Sequence, residues 1–326
     1  MGSCNGPVFI IGMPRSGTKL LRSLLNNHSQ IAITTYESGL IPFFYKNFSN
    51  YGDVKIKNNF HKFYQKFSQT TFFTRLTKDD AFINEDLWFK DILDGSFPEV
   101  IEVFYTIYAQ SRNKNIWGDK TPSYIYEIPL LSRLFPQAKF VHIIRDVRDY
   151  SLSVKKAWNK NIFRASQRWT DAIEGCRRDV EKSKVEAYLE IKYEHLISHP
   201  ESTLTSVCDF LHIPYEKDMN KLIKSPENLA ATKGIKNIVT DNSGKWKTQM
   251  KASTILKIEA NCGRLLNNLG YPLTYPEVAP KRLGRFEMLL YKVNDALQVI
   301  LFEIKKGSVN NIYDSLRAIL ARKNNR

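Results

Sequence analysis

Cysteine is scarce in this chain of 326 residues, with four in all at Cys4, Cys176, Cys208 and Cys262 and no two close together. That scatter excludes the paired-cysteine metal ribbons and the small disulfide frameworks, and it suits a reducing compartment. No close grouping of metal-ligating residue types stands out either, so no metal is expected. Long apolar runs are missing, so no membrane-spanning helix is predicted. The first apolar stretch begins at residue 8, too early to leave room for a cleavable signal peptide, and a cytoplasmic location is the expectation. Acidic residues are outnumbered, 33 against 48 Lys plus Arg, for a formal charge of +15. Such a surplus calls for an anionic partner, whether nucleotide, nucleic acid, acidic glycan or lipid surface, and charge alone does not choose among them.

What is present is organised around residues 8–25, VFIIGMPRSGTKLLRSLL. The first half reads as a buried strand and the second as a helix, with residues 12–19 as the turn between them. Its glycine spacing is that of a phosphate-binding loop, in which successive backbone N–H groups and a helix N-terminus cradle an anion. The Walker form needs Lys directly after the second glycine, whereas Gly17 is followed by Thr18 and then Lys19. A phosphate cradle is expected, but not ordinary ATP or GTP chemistry.

Apolar spacing through Leu20, Leu21, Leu24 and Leu25 continues the helix until Asn26-Asn27-His28-Ser29 ends it. A short strand at 31–33 follows, and soon after it comes Glu37. A carboxylate beyond the carboxyl end of a strand is where open parallel sheets place ligand groups. A helix cap or a solvated charge is the other reading. Residues 42–112 are rich in Phe and Tyr mixed with Lys and lack strand alternation, which predicts helices inserted between strands, their aromatics mainly core. Next, Ile116-Trp117-Gly118-Asp119-Lys120-Thr121-Pro122 is a short strand running into a turn that carries one lysine. Residues 140–144 form a strongly apolar strand ending in Arg145, with Ser153 eight residues on in the first turns of the next helix. A guanidinium and a hydroxyl so placed can converge on one phosphate; Asp146 as a helix cap paired with Arg145 is the alternative. His142 inside that strand and His28 at a helix end read as structural.

A polar helix at 163–184, a strand at 187–193 and an amphipathic helix at 201–211 complete an alternation that predicts an α/β fold with a P-loop-type parallel sheet flanked by helices. Residues 225–249 form a long polar loop, and a final domain helix runs over 253–269. From residue 280 the chain turns into basic amphipathic helices, which can pack on the main domain, pair with a partner or lie on an anionic membrane surface. The expected division is therefore a domain over 1–278, with its helical insertion at about 42–112, and a C-terminal helical extension over 279–326.

Together these signatures resemble the family of sulfotransferases that use 3′-phosphoadenosine 5′-phosphosulfate (PAPS), over roughly residues 8–272 and in the family's order. Pro14-Arg15-Ser16-Gly17-Thr18-Lys19 resembles the 5′-phosphosulfate loop, Arg145 with Ser153 the 3′-phosphate site, and the segment around Tyr193 the one whose tyrosine lies by the nucleotide. Within the family the chain is similar to the tyrosylprotein sulfotransferase-like branch, which includes bacterial enzymes acting on carbohydrates. That branch has an Arg in the loop, a Glu after the second strand and a Lys in a Lys-Asp/Thr-Pro turn, matched by Arg15, Glu37 and Lys120; Gly244-Lys245-Trp246 is similar to its Ser-Lys-Trp loop. The chain departs from it at Ala157, where those enzymes carry a further Arg, and a serine for the bridging oxygen has no clear match in 230–243.

The resemblance implies sulfuryl transfer with Glu37 as general base, Arg15 and Lys120 neutralising the leaving group, and Arg145, Ser153 and Lys245 gripping the 3′-phosphate. PAPS would be the co-substrate and PAP the product, with fixed cations in the role that magnesium has in nucleotide enzymes. A carbohydrate or glycolipid hydroxyl is the expected acceptor, with a protein tyrosine or a small alcohol or phenol as the alternative. No nucleic acid partner is expected, and residues 280–326 could hold the protein at the membrane periphery. A P-loop kinase and a non-catalytic anion-binding module are the rival classes; the first meets Thr18 in the Walker lysine position, and the second leaves Glu37 unexplained.

Overall fold

The computed structural model describes residues 6–78, 83–222, 225 and 234–305, the last seven by backbone alone. In chain order the described elements are β1 (Val8–Ile11), α1 (Thr18–Leu25), β2 (Ile31–Ile33), α2 (Ile41–Asn47), α3 (Lys57–Ser68), α4 (Thr71–Lys78), α5 (Glu85–Phe89), α6 (Phe97–Gln110), β3 (Ile116–Lys120), α7 (Ile128–Leu134), β4 (Lys139–Ile144), α8 (Val147–Trp158), α9 (Ile162–Lys182), β5 (Tyr188–Lys192), α10 (Tyr193–Ser198), α11 (Pro200–Leu211), α12 (Trp246–Gln249), α13 (Ala252–Asn268) and α14 (Arg285–Lys305). They fall into two compact units. One comprises Met1–Ile144, Ala172–Asn228 and Thr232–Thr240, the other Arg145–Asp171, Leu229–Ala231 and Asp241–Arg326.

Strands covered on both faces need apolar residues at every position, and β1, with four buried residues in VFII, meets that condition. The first unit holds a parallel sheet in the order β2-β3-β1-β4-β5, with Val8 level with Gly118 on one side and Lys139 on the other. Val8 and Ile10 face a core made with Leu21, Leu24 and Leu25 of α1, Val141 and Ile143 of β4, and Leu204, Val207 and Leu211 of α11. Phe9 points the other way, stacking on Phe140 at 5.5 Å between centroids and meeting Trp117 and Tyr124 edge-on. The expected α/β fold is therefore present.

Strand order places the ligand end. From β1 the chain crosses to one side, toward β2, while from β3 and β4 it crosses to the other. The loop after β1 consequently opens at the point where the winding reverses, and crevices form at the carboxyl ends of strands there.

Between β2 and β3 the inserted helices α2 to α6 build an aromatic core of their own. Trp88 lies 4.8 Å from Phe104, 5.0 Å from Phe67 and 5.5 Å from Phe60 and Phe63, and donates its indole N–H to Val100 O at 2.8 Å. Phe43, by contrast, is half exposed.

In the second unit Asp146 caps α8 by accepting from Arg148 N at 2.8 Å. The Arg148 guanidinium is fully buried, held by Asp146 at 2.7 Å, Glu259 of α13 at 2.6 Å and Pro272 O at 3.0 Å, with the Trp246 ring 3.7 Å from its centre. A buried arginine tolerates its desolvation only with such complete pairing. Cys176, Cys208 and Cys262 are buried and free, and burial pushes each thiol up to about 12, so none supplies a thiolate at neutral pH. The expectations that fall on Cys4, on residues 226–233 of the polar loop and on the tail after 305 lie outside the described residues.

Candidate active site

The turn after β1 is shaped by backbone more than by side chains. Gly12 and Gly17 both have positive φ, 147° and 98°, and so does Arg15 at 78°, a conformation unfavourable for a residue with a Cβ. A Cβ at Gly17 would lie 2.3 Å from Cδ2 of Tyr193, which opens α10 directly after β5. The tyrosine thus closes against the loop and leaves room for glycine alone. Gly17 is also the N-cap of α1 and offers no side-chain cap, so the first N–H groups of that helix point outward with their partial positive charge. Ser16 Oγ is buried with no hydrogen-bond partner among the described residues. An uncapped helix start, a left-handed turn and an orphaned buried hydroxyl together fit an anion. Pro14 is exposed beside the turn, Thr18 is buried beneath it, and Arg15 and Lys19 are partly exposed.

Lys120 ends β3 and Glu37 sits in the loop after β2, and the structure joins them: Lys120 Nζ donates to Glu37 Oε1 at 2.6 Å. Their surroundings differ sharply, the lysine side chain being 1% exposed and the glutamate 48%. Burial pushes the Lys120 amine below its ordinary value and the Glu37 carboxylate pulls it back up, while Arg22 and Lys19 of α1 add a further downward push. Three cations from two elements therefore act on one small volume.

Beneath this pair lies a network that motif spacing does not reveal. Asp119, fully buried on β3, accepts from Tyr105 Oη and Thr121 Oγ1 at 2.7 Å each and from Ser38 Oγ. The Tyr124 hydroxyl meets Ser38 Oγ at 2.9 Å, and Gly39 N donates to Thr121 Oγ1 at 3.3 Å. Asp119 adjoins Lys120 in sequence, and Ser38 adjoins Glu37, so one carboxylate fixes both halves of the pair. Burial raises the Asp119 carboxyl above its ordinary value, with the three hydroxyl donors opposing that rise. The loop is tied from its other end by Arg22, whose Nη1 donates to Thr35 O.

In the second unit Arg145 Nη2 donates to Asn242 O at 2.7 Å, and Lys245 Nζ donates to Asn242 Oδ1 at 2.9 Å. Asn242 thereby gathers two of the cations that the family resemblance assigns to the 3′-phosphate, and Ser153 is half-buried on α8. Asp149 on the same helix accepts from Gly244 N at 2.5 Å and Trp246 N at 3.0 Å, docking the loop at the α8 end. Trp246 is buried over Arg148. Asn242 and Asp149 carry no motif of their own; a polar loop returning to a helix start was the available signal. The two histidines are structural: His142 is buried with Nδ1 2.6 Å from Tyr188 Oη, and His28 Nε2 is 2.8 Å from Pro214 O.

The pattern of the Sulfotransferase family matches residues 7–217. Protein-tyrosine sulfotransferase 2 of Gallus gallus is 24% identical over 316 residues, which cover 91% of this chain and 76% of that protein. Among solved structures, the sulfotransferase domain from the curacin biosynthetic pathway superposes with a TM-score of 0.53 at 20% identity, over 83% of this chain and all of that one. The sulfotransferase domain from the Synechococcus PCC 7002 olefin synthase gives 0.52 at 22% identity, over 82% of this chain and 95% of that domain. At these identities the structural likeness is one of fold.

Proposed function

The chain belongs to the sulfotransferase family, and from that premise we propose that it transfers the sulfuryl group of PAPS to an acceptor hydroxyl, with Glu37 as general base. The observation that carries the assignment is the asymmetry of the 2.6 Å pair. Glu37 is half exposed, within reach of an acceptor arriving from solvent, whereas Lys120 is buried where a cation faces little competition from water. When bound, PAPS supplies an activated sulfuryl group on a phosphate leaving group. Residues 14–19 would hold the 5′-phosphosulfate through backbone N–H groups and Ser16, whose orphaned hydroxyl fits that use. Arg15 and Lys120 would offset charge gathering on the leaving side, and Glu37 takes the proton of the acceptor hydroxyl. In the second unit Arg145, Ser153 and Lys245 would hold the 3′-phosphate, the group that separates this nucleotide from ATP.

Two acceptor classes stand level. Phe43, Tyr45 and Tyr126 keep exposed rings that suit a sugar face, although most aromatics of the insertion are committed to its own core. A protein tyrosine is favoured by the relative from Gallus gallus. Radiolabelled PAPS incubated with fractionated glycans, glycolipids and proteins identifies the class by which fraction takes label. Glu37→Gln should abolish labelling, a loss of about 10²- to 10⁴-fold for a general base, while leaving PAP binding at neutral pH intact. Equal loss of both would sink the assignment. Magnesium-independent binding of PAP in preference to ATP is expected, and the reverse preference would favour a kinase.

A further inference from the structure

The helix α14 is attached to the second unit by its polar side. Asp295 is buried, accepting from Arg164 Nη1 at 2.6 Å and Asn161 N at 2.7 Å, and Gln298 Oε1 accepts from Asn159 Nδ2 at 2.9 Å. Tyr291 lies against Phe163, with ring centroids 6.4 Å apart. At the helical repeat of about 100° per residue, Phe286, Leu289, Leu290, Val293 and Leu297 fall within one arc of roughly 100° on the side opposite Asp295. All five are exposed, from 51% to 71%. A helix of a water-soluble unit ordinarily buries that stripe and hydrates the other side, so this arrangement is inverted.

We propose that this face of α14 docks on an anionic lipid surface. Its charge setting is the reason for choosing lipid over other covers. Arg285 and Lys292 are exposed along one edge of the stripe, and Lys281 precedes the helix. Over residues 281–326 ten Lys and Arg stand against four Asp and Glu. A second copy placed on the same stripe would bring a segment of identical charge and meet repulsion, whereas acidic headgroups meet attraction and acyl chains accept the five apolar side chains. No helix among the described residues is long and apolar enough to cross a bilayer, and α14, 21 residues or about 32 Å long, would lie in the plane of the interface.

The test is co-sedimentation of the full chain with vesicles of phosphatidylcholine alone or mixed with phosphatidylglycerol. Binding is expected to the mixed vesicles and not to neutral ones, and it should weaken as salt is raised. The pair Leu289→Glu with Val293→Glu, and separately the pair Arg285→Glu with Lys292→Glu, should each weaken binding by at least about tenfold. Leu256→Glu, at an exposed leucine of α13, should leave binding unchanged. All these positions are exposed, so thermal melts should stay close to the parent and exclude unfolding as the cause. Failure to bind mixed vesicles, binding indifferent to the stripe substitutions, or a dimer in solution that those substitutions dissociate would each overturn the proposal.

Discussion

Asn in place of Asp119 tests whether the buried carboxylate is what holds the Glu37–Lys120 pair in position. The aspartate accepts three hydroxyl donors, from Tyr105, Thr121 and Ser38, and is fully buried. The amide keeps one acceptor oxygen and turns an N–H₂ toward hydroxyls that were donating, leaving at least one buried donor unsatisfied at a cost of about 1–3 kcal/mol. Asp119→Ala removes every acceptor and should cost about 2–5 kcal/mol. The consequence for turnover comes from the neighbours: Ser38 is bonded in sequence to Glu37 and Asp119 to Lys120, and a shift near 1 Å in a reacting group can cost about 10²-fold. With the labelled acceptor fraction as substrate, Asp119→Asn should lower kcat by roughly that factor while PAP affinity stays within about threefold. The sign of the pH effect provides a second readout. Burial raises the folded-state pKa of Asp119 above its unfolded value, so its contribution to stability is full below the ordinary carboxylate range and is lost as pH rises through the raised value. The stability of the parent relative to Asp119→Asn should therefore fall as pH rises across that window. A folded Asp119→Asn protein with parental kcat and no such relative slope would refute the positioning role.

Other substitutions probe the remaining contacts. In Glu37→Gln the carboxylate that raises the Lys120 amine is gone while burial, Arg22 and Lys19 still lower it, so the alkaline limb of PAP affinity should move to lower pH; an unmoved limb would show that Lys120 does not meet the nucleotide. Gly17→Ala places a Cβ 2.3 Å from Tyr193 at a φ of 98°, and strain of about 1–3 kcal/mol plus the clash should lower the melting temperature and weaken PAP binding at least about tenfold. Adding Tyr193→Ala should return part of the thermal loss by relieving the clash. Arg148→Met would leave Asp146 and Glu259 buried without their cation, and urea titration should show a loss of about 3–5 kcal/mol in the second unit; a loss below about 1 kcal/mol would mean the cluster is solvated.

The sequence by itself determined the fold class and the backbone shape of the loop after β1. Strands buried on both faces need apolar residues at consecutive positions, and 8–11 and 140–144 announce themselves that way because the requirement is local. The same holds for Gly12 and Gly17, where a backbone conformation selects the residue type. The tertiary structure decided what depends on pairing across distance. Strand order set β1 at the reversal of winding, and Lys120, an ordinary loop lysine by its spacing, became a buried cation because Glu37 stands 2.6 Å from it across 83 residues. Asp119 carries no motif of its own, and hydroxyls from α6, from the loop after β2 and from Thr121 two residues on converge on it. Hydrogen-bond partners of this kind leave no periodic trace in a chain, since their geometry is fixed by the packing of elements and not by the residues between them.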